Sequence, residues 1–154
     1  MNAKLVSSVV RCLGLLFVLA AFGVSAPATV ITTGYIDPGG AATQPDPWSI
    51  GGSLSVPYEG NGTLNIEAEG EVSNSWGYIG RSSGSTGVAT VSGAGSKWTN
   101  SSSLSVGYSG NGTLNIEAGG EVSNSWGYIG DESGSTGIAP VTVAMPVEPA
   151  SLPM

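Results

Sequence analysis

The sequence of 154 residues contains no histidine and a single cysteine, Cys12. Without histidine the chain cannot form a Ser-His-Asp triad, and zinc and copper sites lose the ligands that they prefer. Phosphate-binding and dinucleotide-binding fingerprints are also missing, because the glycines interrupt apolar segments and do not open a helix. The sequence therefore predicts no cofactor, no metal site and no enzymatic activity.

Basic residues are scarce, with four Lys and Arg against eleven Asp and Glu and a formal net charge of −7. Two of the four, Lys4 and Arg11, precede an apolar run over residues 13–24, and small residues follow the run up to Ala28. This is the layout of a secretory signal peptide, and the run is shorter than the roughly 20 residues of a membrane-spanning helix. We therefore predict a helical signal peptide over residues 1–28, a secreted or cell-surface location, and no membrane span in the mature chain.

Removal of that peptide also removes Cys12, Lys4 and Arg11, which takes the formal charge from −7 to −9. Because phosphate backbones are bound by clustered Lys and Arg, we expect no nucleic-acid partner. Small secreted domains usually depend on disulfides. This chain must instead be held together by side-chain packing and dense backbone hydrogen bonding.

An internal repeat of 50 residues dominates what remains. Residues 60–80 read GNGTLNIEAEGEVSNSWGYIG and residues 110–130 read GNGTLNIEAGGEVSNSWGYIG, which differ only at Glu69 and Gly119. A fixed period in this range is typical of solenoids, propellers and repeat arrays. We divide the mature chain into a degenerate partial repeat (29–47), a first repeat (48–97), a second repeat (98–143) and a proline-rich tail (144–154).

Each repeat contains two related halves, since Gly62 in GTLNI is matched by Gly87 in GVATV 25 residues later, and Leu54 by Ile79 at the same offset. Apolar and polar residues alternate from Leu64 to Val72, which predicts a half-buried strand. The Asn61-Gly62 pair predicts a turn before it.

Two architectures fit short strands between such turns. An antiparallel sandwich or partial propeller would use hairpins, but a closed propeller needs about four blades or more. We therefore predict an all-β fold, a short right-handed parallel β-solenoid (β-helix) with coils of about 25 residues. Stacking would place Leu64 and Leu114 in one column, and Trp76 and Trp126 in another, with a coil between them.

The order of glycine, apolar and tryptophan positions resembles a known family. LSVGYSGNGTLNIEAGGEV (104–122), GYIG (127–130) and STGVATVSGAGSKW (85–98) are similar to the repeat shared by autotransporter passenger domains and PEP-CTERM-associated proteins. The resemblance covers roughly residues 48–139. It implies a β-helical protein of the surface or extracellular matrix of a Gram-negative bacterium, and it does not imply an enzyme.

Aromatic side chains at repeat spacing form the first candidate contact surface. Trp76, Tyr78, Trp126 and Tyr128 recur in identical WGYIG segments. Exposed aromatic rings stack on sugar rings and could form a strip that binds glycans. The alternative is that the aromatic residues, with Trp48 and Trp98, cover coil edges and fill the core.

A row of carboxylates forms the second candidate surface. On one strand Glu67, Glu69 and Glu71 would share a face, with neighbours roughly 6.6–7 Å apart. Paired carboxylates serve glycosidases, but Glu69 is missing from the second copy, where Glu117 and Glu121 remain. A solvated outer face explains the row more simply, so we expect Glu67 and Glu117 to contribute at most to an adhesion surface.

The function expected from these observations is structural or adhesive. The alternatives are a carbohydrate-binding module that uses the repeated Trp and Tyr side chains, and a polysaccharide-degrading enzyme. Extracellular polysaccharide or other surface proteins are the expected partners. Open strand edges at the ends of a short stack also predict head-to-tail self-association.

Overall fold

In the computed structural model, which describes residues 27–142, the repeats build four stacked coils of β-strand. The prediction of an all-β parallel solenoid with coils of about 25 residues is confirmed, because equivalent residues such as Gly62 and Gly87 pair in register. The predicted signal peptide, apart from its last two residues, and the proline-rich tail lie outside the described residues.

The chain contributes three strands to each of the first three coils and four to the last, after two strands that precede the stack. The preceding strands are β1 (Thr29–Gly34) and β2 (Ala42–Gln44). The first coil contains β3 (Trp48–Ser49), β4 (Ser53–Val56) and β5 (Asn61–Glu67), and the second β6 (Glu71–Asn74), β7 (Trp76–Ile79) and β8 (Thr86–Ser92). The third contains β9 (Lys97–Asn100), β10 (Ser103–Val106) and β11 (Asn111–Glu117), and the fourth β12 (Glu121–Ser123), β13 (Trp126–Ile129), β14 (Thr136–Ile138) and β15 (Val141–Thr142).

Strands of successive coils form three sheets. Sheet A has the order β14-β11-β8-β5-β1-β2, with β15 also paired to β11; sheet B has the order β13-β10-β7-β4 and sheet C the order β12-β9-β6-β3. Every pairing between coils is parallel. The backbone hydrogen bonds of the described chain therefore run along the stack, which gives a chain without disulfides a continuous ladder.

Large and small side chains alternate along one interior column of each sheet. The columns read Trp48, Val72, Trp98, Val122 in sheet C; Leu54, Gly77, Leu104, Gly127 in sheet B; and Leu64, Ala89, Leu114 in sheet A. A Cβ on Gly77 would lie only 2.7 Å from Leu104 Cδ1 and 3.1 Å from Trp98 Cζ2. Two consecutive coils are therefore not interchangeable, and this explains why the sequence repeats most closely at 50 residues and only loosely at 25.

The predicted turn at Asn61-Gly62 is wrong. Both residues belong to β5, and the chain turns one residue earlier, at Gly60, whose φ is +66°. Gly62 pairs with Gly87, and Gly87 with Gly112, in one buried column of sheet A. A Cβ at Gly87 would overlap the carbonyl oxygen of Val56, so glycine is required here for close backbone approach.

Two further details of the predicted pattern are wrong. Ile79 pairs with Val56, and Leu54 pairs with Gly77, so the half-repeats in sheet B are offset by two residues from the alignment of Leu54 with Ile79. The alternation from Leu64 to Val72 is also not one strand. The backbone leaves the extended conformation at Ala68 and Glu69, whose φ values are +51° and +71°, and turns a corner between sheets A and C.

Residues 29–47 form a cap in place of a parallel partial coil. Strand β1 runs antiparallel to β5 over its whole length, and β2 runs antiparallel to β1. Asp37 forms an isolated antiparallel bridge with Ser55 and covers part of the β4 edge. Val30 and Ile36 are buried and close the core at this end.

The other end of the described stack is more open. Ile79 is fully buried, whereas Ile129, at the same place in the second repeat, is 61% exposed. Val91 and Val141, in equivalent positions, are 0% and 63% exposed. Since the local sequences are nearly the same, the difference reflects the absence of a covering coil within residues 27–142.

Candidate functional site

The outer surface of sheet B brings the predicted aromatic residues together. In β7 and β13 the sequence WGYI points Gly and Ile into the core, so Trp and Tyr point outwards. Register places Trp76 and Tyr78 beside Ser103 and Ser105, which in turn lie beside Trp126 and Tyr128. We call this surface, with the turn residues that follow its strands, the aromatic face.

Rows of serine separate the rows of aromatic rings. The outward residues of β4 and β10 are Ser53 with Ser55 and Ser103 with Ser105. Because neighbouring strands lie about 4.8 Å apart, the backbones at Trp76 and Trp126 are roughly 9.6 Å apart. The face therefore has two aromatic ridges with the partly exposed Ser103 between Trp76 and Trp126, whereas Ser55 and Ser105 are buried and hydrogen-bond to Arg81 and Asp131.

Exposure divides the four tryptophans into two pairs. Trp76 and Trp126 are 45% and 63% exposed, whereas Trp48 and Trp98 are buried in the core. The Trp98 indole Nε1 donates a 2.6 Å hydrogen bond to Asn74 Oδ1. The expectation of core filling is thus correct for Trp48 and Trp98, and the expectation of exposed rings is correct for Trp76 and Trp126.

A column of turn residues borders the aromatic face. The register of sheet B, continued by two residues into the turns, aligns Tyr58, Arg81, Tyr108 and Asp131. The Arg81 guanidinium carbon lies 5.0 Å from the Tyr58 ring centre and 4.6 Å from that of Tyr78. Tyr78 in turn contacts Tyr108 edge-to-face, with 5.2 Å between ring centres. These side chains make one continuous stack across three coils.

Arg81 and Asp131 occupy equivalent positions with opposite charge. Arg81 Nη1 donates to Ser55 Oγ at 3.0 Å, and Ser105 Oγ donates to Asp131 Oδ2 at 3.0 Å. Each charged group is therefore anchored to the serine of the preceding coil in the same way. The first aromatic row reads Trp76, Tyr78, Arg81 and the second reads Trp126, Tyr128, Asp131.

Four residues of this surface were not predicted from the sequence: Tyr58, Arg81, Tyr108 and Asp131. A signal was present, since GYIGR and GYIGD are among the few places where the two repeats differ, and the difference reverses a charge. The sequence does not show that this residue belongs to the aromatic face, because the path of the turn brings the side chain after the glycine back over the sheet.

Glu67 and Glu117 lie away from the aromatic face. They end β5 and β11 of sheet A, with Ser92 between them in the column, and both are exposed. Glu69 lies in the turn and Glu71 begins β6 in sheet C, so the three glutamates of the first repeat do not share one strand face. The structure does not join these carboxylates to the aromatic residues in one site.

Residues 27–142 contain no cluster of three or more Asp, Glu, Cys or His side chains suited to a metal ion. No helix in this range is long and apolar enough to cross a membrane.

Comparisons with protein-family models, with curated proteins and with solved structures found no match. The aromatic face is therefore interpreted from its own chemistry.

Proposed function

We propose that this chain is a secreted or cell-surface adhesive solenoid, without catalytic activity, that binds extracellular polysaccharide through the aromatic face. The observation that carries the proposal is the pair of exposed tryptophans, Trp76 and Trp126, held in one column of a rigid sheet. Exposed apolar side chains that are grouped on one surface mark interaction sites.

The composition of the face favours sugars as partners. Its outward strand positions contain only serine, tryptophan and tyrosine, with no aliphatic side chain. Sugar rings are amphipathic: their C–H faces pack on aromatic rings while their hydroxyl groups hydrogen-bond to neighbouring polar groups. The two ridges, roughly 9.6 Å apart, match the length of a disaccharide. A flat β-1,4-linked chain could therefore place alternate rings on Trp76 and Trp126.

The rigid stack supports adhesion more than catalysis. Strand pairing fixes the ridges before the ligand arrives, so little conformational entropy is lost on binding. Nothing on the aromatic face provides a pair of facing carboxylates, because Asp131 is the only acidic member of its two rows. Glu67 and Glu117 lie in a different sheet.

A polysaccharide array followed by affinity measurement tests this proposal. We expect binding to β-1,4-linked glucan, weakened at least about tenfold in Trp76→Ala, since buried tryptophan contacts dominate binding energies. Glu67→Ala, an exposed change in another sheet, is the matched control and should bind normally. Equal binding by wild type and Trp76→Ala, or no binding to any polysaccharide, contradicts the proposal, and release of reducing ends that is lost in Glu67→Gln would support an enzyme instead.

We also infer a place for the chain among the autotransporter and PEP-CTERM-associated repeat proteins of Gram-negative bacteria. The stacked parallel coils and the order of glycine and tryptophan positions support it. Detection of the protein in the extracellular matrix or at the cell surface by immunolabelling, and loss of that location when residues 1–28 are deleted, would test the location.

A further inference from the structure

We propose that the two rows of the aromatic face are subsites of different charge preference, and that Arg81 makes the first row the subsite for a sugar that carries a carboxylate. This inference rests on the proposed binding of polysaccharide. It concerns which unit of the glycan each row accepts.

The two rows form a natural comparison. Trp76 with Tyr78 and Trp126 with Tyr128 lie on identical WGYIG segments in the same register. The third member is a guanidinium in one row and a carboxylate in the other. The Trp and Tyr side chains that a neutral sugar would contact are thus present in both rows, and the charge beside them is reversed; Tyr78 also packs against Arg81 and Tyr108, whereas Tyr128 is 44% exposed.

Arg81 is held in place for recognition of an anion. Its guanidinium lies between the rings of Tyr58 and Tyr78, at 5.0 and 4.6 Å from their centres. The contact with Ser55 Oγ uses Nη1, and within residues 27–142 no carboxylate pairs with the group. Arginine has five N–H donors in a planar fork that matches a carboxylate. The other N–H groups of Arg81 can therefore bind a ligand, and little conformational entropy is lost because the tyrosine rings already restrain the guanidinium.

Asp131 gives the second row the opposite preference. Its Oδ2 accepts a hydrogen bond from Ser105 at 3.0 Å, which fixes the carboxylate at the border of the face. Glu132 follows it in the turn and adds a second negative charge. A ligand carboxylate in this row would be repelled, whereas a neutral sugar could donate its hydroxyl groups to Asp131.

The negative charge of the second row limits the ligand to sparse carboxylates. A polymer with one carboxylate on every sugar would also place a carboxylate beside Asp131 and Glu132, which would repel it. At physiological salt, charges further apart than about 8 Å are largely screened, so a single carboxylate at Arg81 interacts mainly with that guanidinium. The fitting ligand is a mostly neutral glycan with isolated uronic acid units.

Isothermal titration of two probes tests the assignment: a β-1,4-linked glucose tetrasaccharide, and the same molecule with one primary alcohol oxidised to a carboxylate. We expect wild type to bind the acidic probe more tightly than the neutral one. Arg81→Gln should lose about fivefold for the acidic probe only, the size expected of an exposed ion pair. Arg81→Asp should lose more, because it turns the first row into a copy of the second.

Asp131→Arg is the gain-of-function counterpart, and it leaves the Arg81 stack intact. It should create a second acidic subsite and raise the number of acidic probes bound. If wild type binds both probes equally and Asp131→Arg changes neither, the charge assignment is wrong although polysaccharide binding stands. If Trp76→Ala also leaves binding unchanged, the proposed function itself fails.

The same variants distinguish a protein partner. Two copies packed face to face in opposite directions would place Arg81 of one copy opposite Asp131 of the other. A dimer seen by analytical ultracentrifugation, lost in Arg81→Asp and restored in the Arg81→Asp/Asp131→Arg double variant, would overturn the sugar assignment.

Discussion

At the scale of single residues, the fold depends on glycines whose missing side chains leave room for neighbouring backbone. Gly62, Gly87, Gly112 and Gly137 form one column of sheet A. At Gly87 and Gly137 the space of a Cβ is occupied by the carbonyl oxygen of Val56 or Val106. Because backbone cannot move aside by changing a rotamer, these positions tolerate only glycine.

Gly87→Ala should therefore destabilise the protein by about 3 kcal/mol, at the upper end of the usual cost of overpacking. Gly51→Ala is the control, since a Cβ there meets nothing within 4 Å, and its unfolding free energy should stay within about 0.5 kcal/mol of wild type. Urea denaturation monitored by tryptophan fluorescence measures both. Equal stability of the two variants would show that the coil can relax around the added methyl group.

At the scale of elements, the stack has two unlike ends. The β1–β2 hairpin occupies the edge of β5, and the Asp37 bridge occupies part of β4. Antiparallel pairing at this point stops the stack, since a further parallel coil would need the β5 edge that β1 occupies. The head-to-tail association expected from the sequence would have to displace this cap.

Deletion of residues 27–44 should expose the β5 edge and uncover the buried side chains Leu64 and Ile66. Unpaired strand edges recruit other chains, so we expect concentration-dependent oligomers in light scattering. Ile31→Lys is the control, because Ile31 is 39% exposed on the cap and its charge leaves the pairing intact. A deletion variant that remains a stable monomer would show that the cap is dispensable.

At the scale of the whole molecule, the coil pair is the unit of construction. Trp98 packs over Gly77, and Leu104 fills the same space, so a large coil needs a small coil beside it. A large coil beside another large coil would place a leucine where Gly77 lies, and even a Cβ there is only 2.7 Å from Leu104 Cδ1.

Insertion of a second copy of residues 53–102 should therefore give a folded solenoid about 9.6 Å longer, since two coils are added at about 4.8 Å each. Duplication of residues 97–120 alone should place Trp98 beside its own copy and lower the midpoint of thermal unfolding. Small-angle scattering and calorimetry would measure length and stability. If both insertions are tolerated equally, size alternation does not govern the stacking.

The sequence was sufficient for the architecture because the repeat forces equivalent residues into register. Leu64 and Leu114 do lie in one column, with Ala89 between them. The corner between sheets A and C could not be predicted from the sequence, because the alternation of apolar and polar residues does not reveal the positive φ values of Ala68 and Glu69. The candidate surface was only partly predicted: Trp76, Tyr78, Trp126 and Tyr128 follow from strand parity, whereas Arg81 and Asp131 reach the face through the path of a turn.

The alternation of wide and narrow coils also has a genetic consequence. Recombination between two near-identical segments 50 residues apart adds or removes one complete coil pair and keeps the reading frame. Such an event preserves every large-against-small contact and the cap, and it changes only the number of ridges displayed. The length of the solenoid can thus change through the copy number of the coil pair, with every added pair already matched to its neighbours.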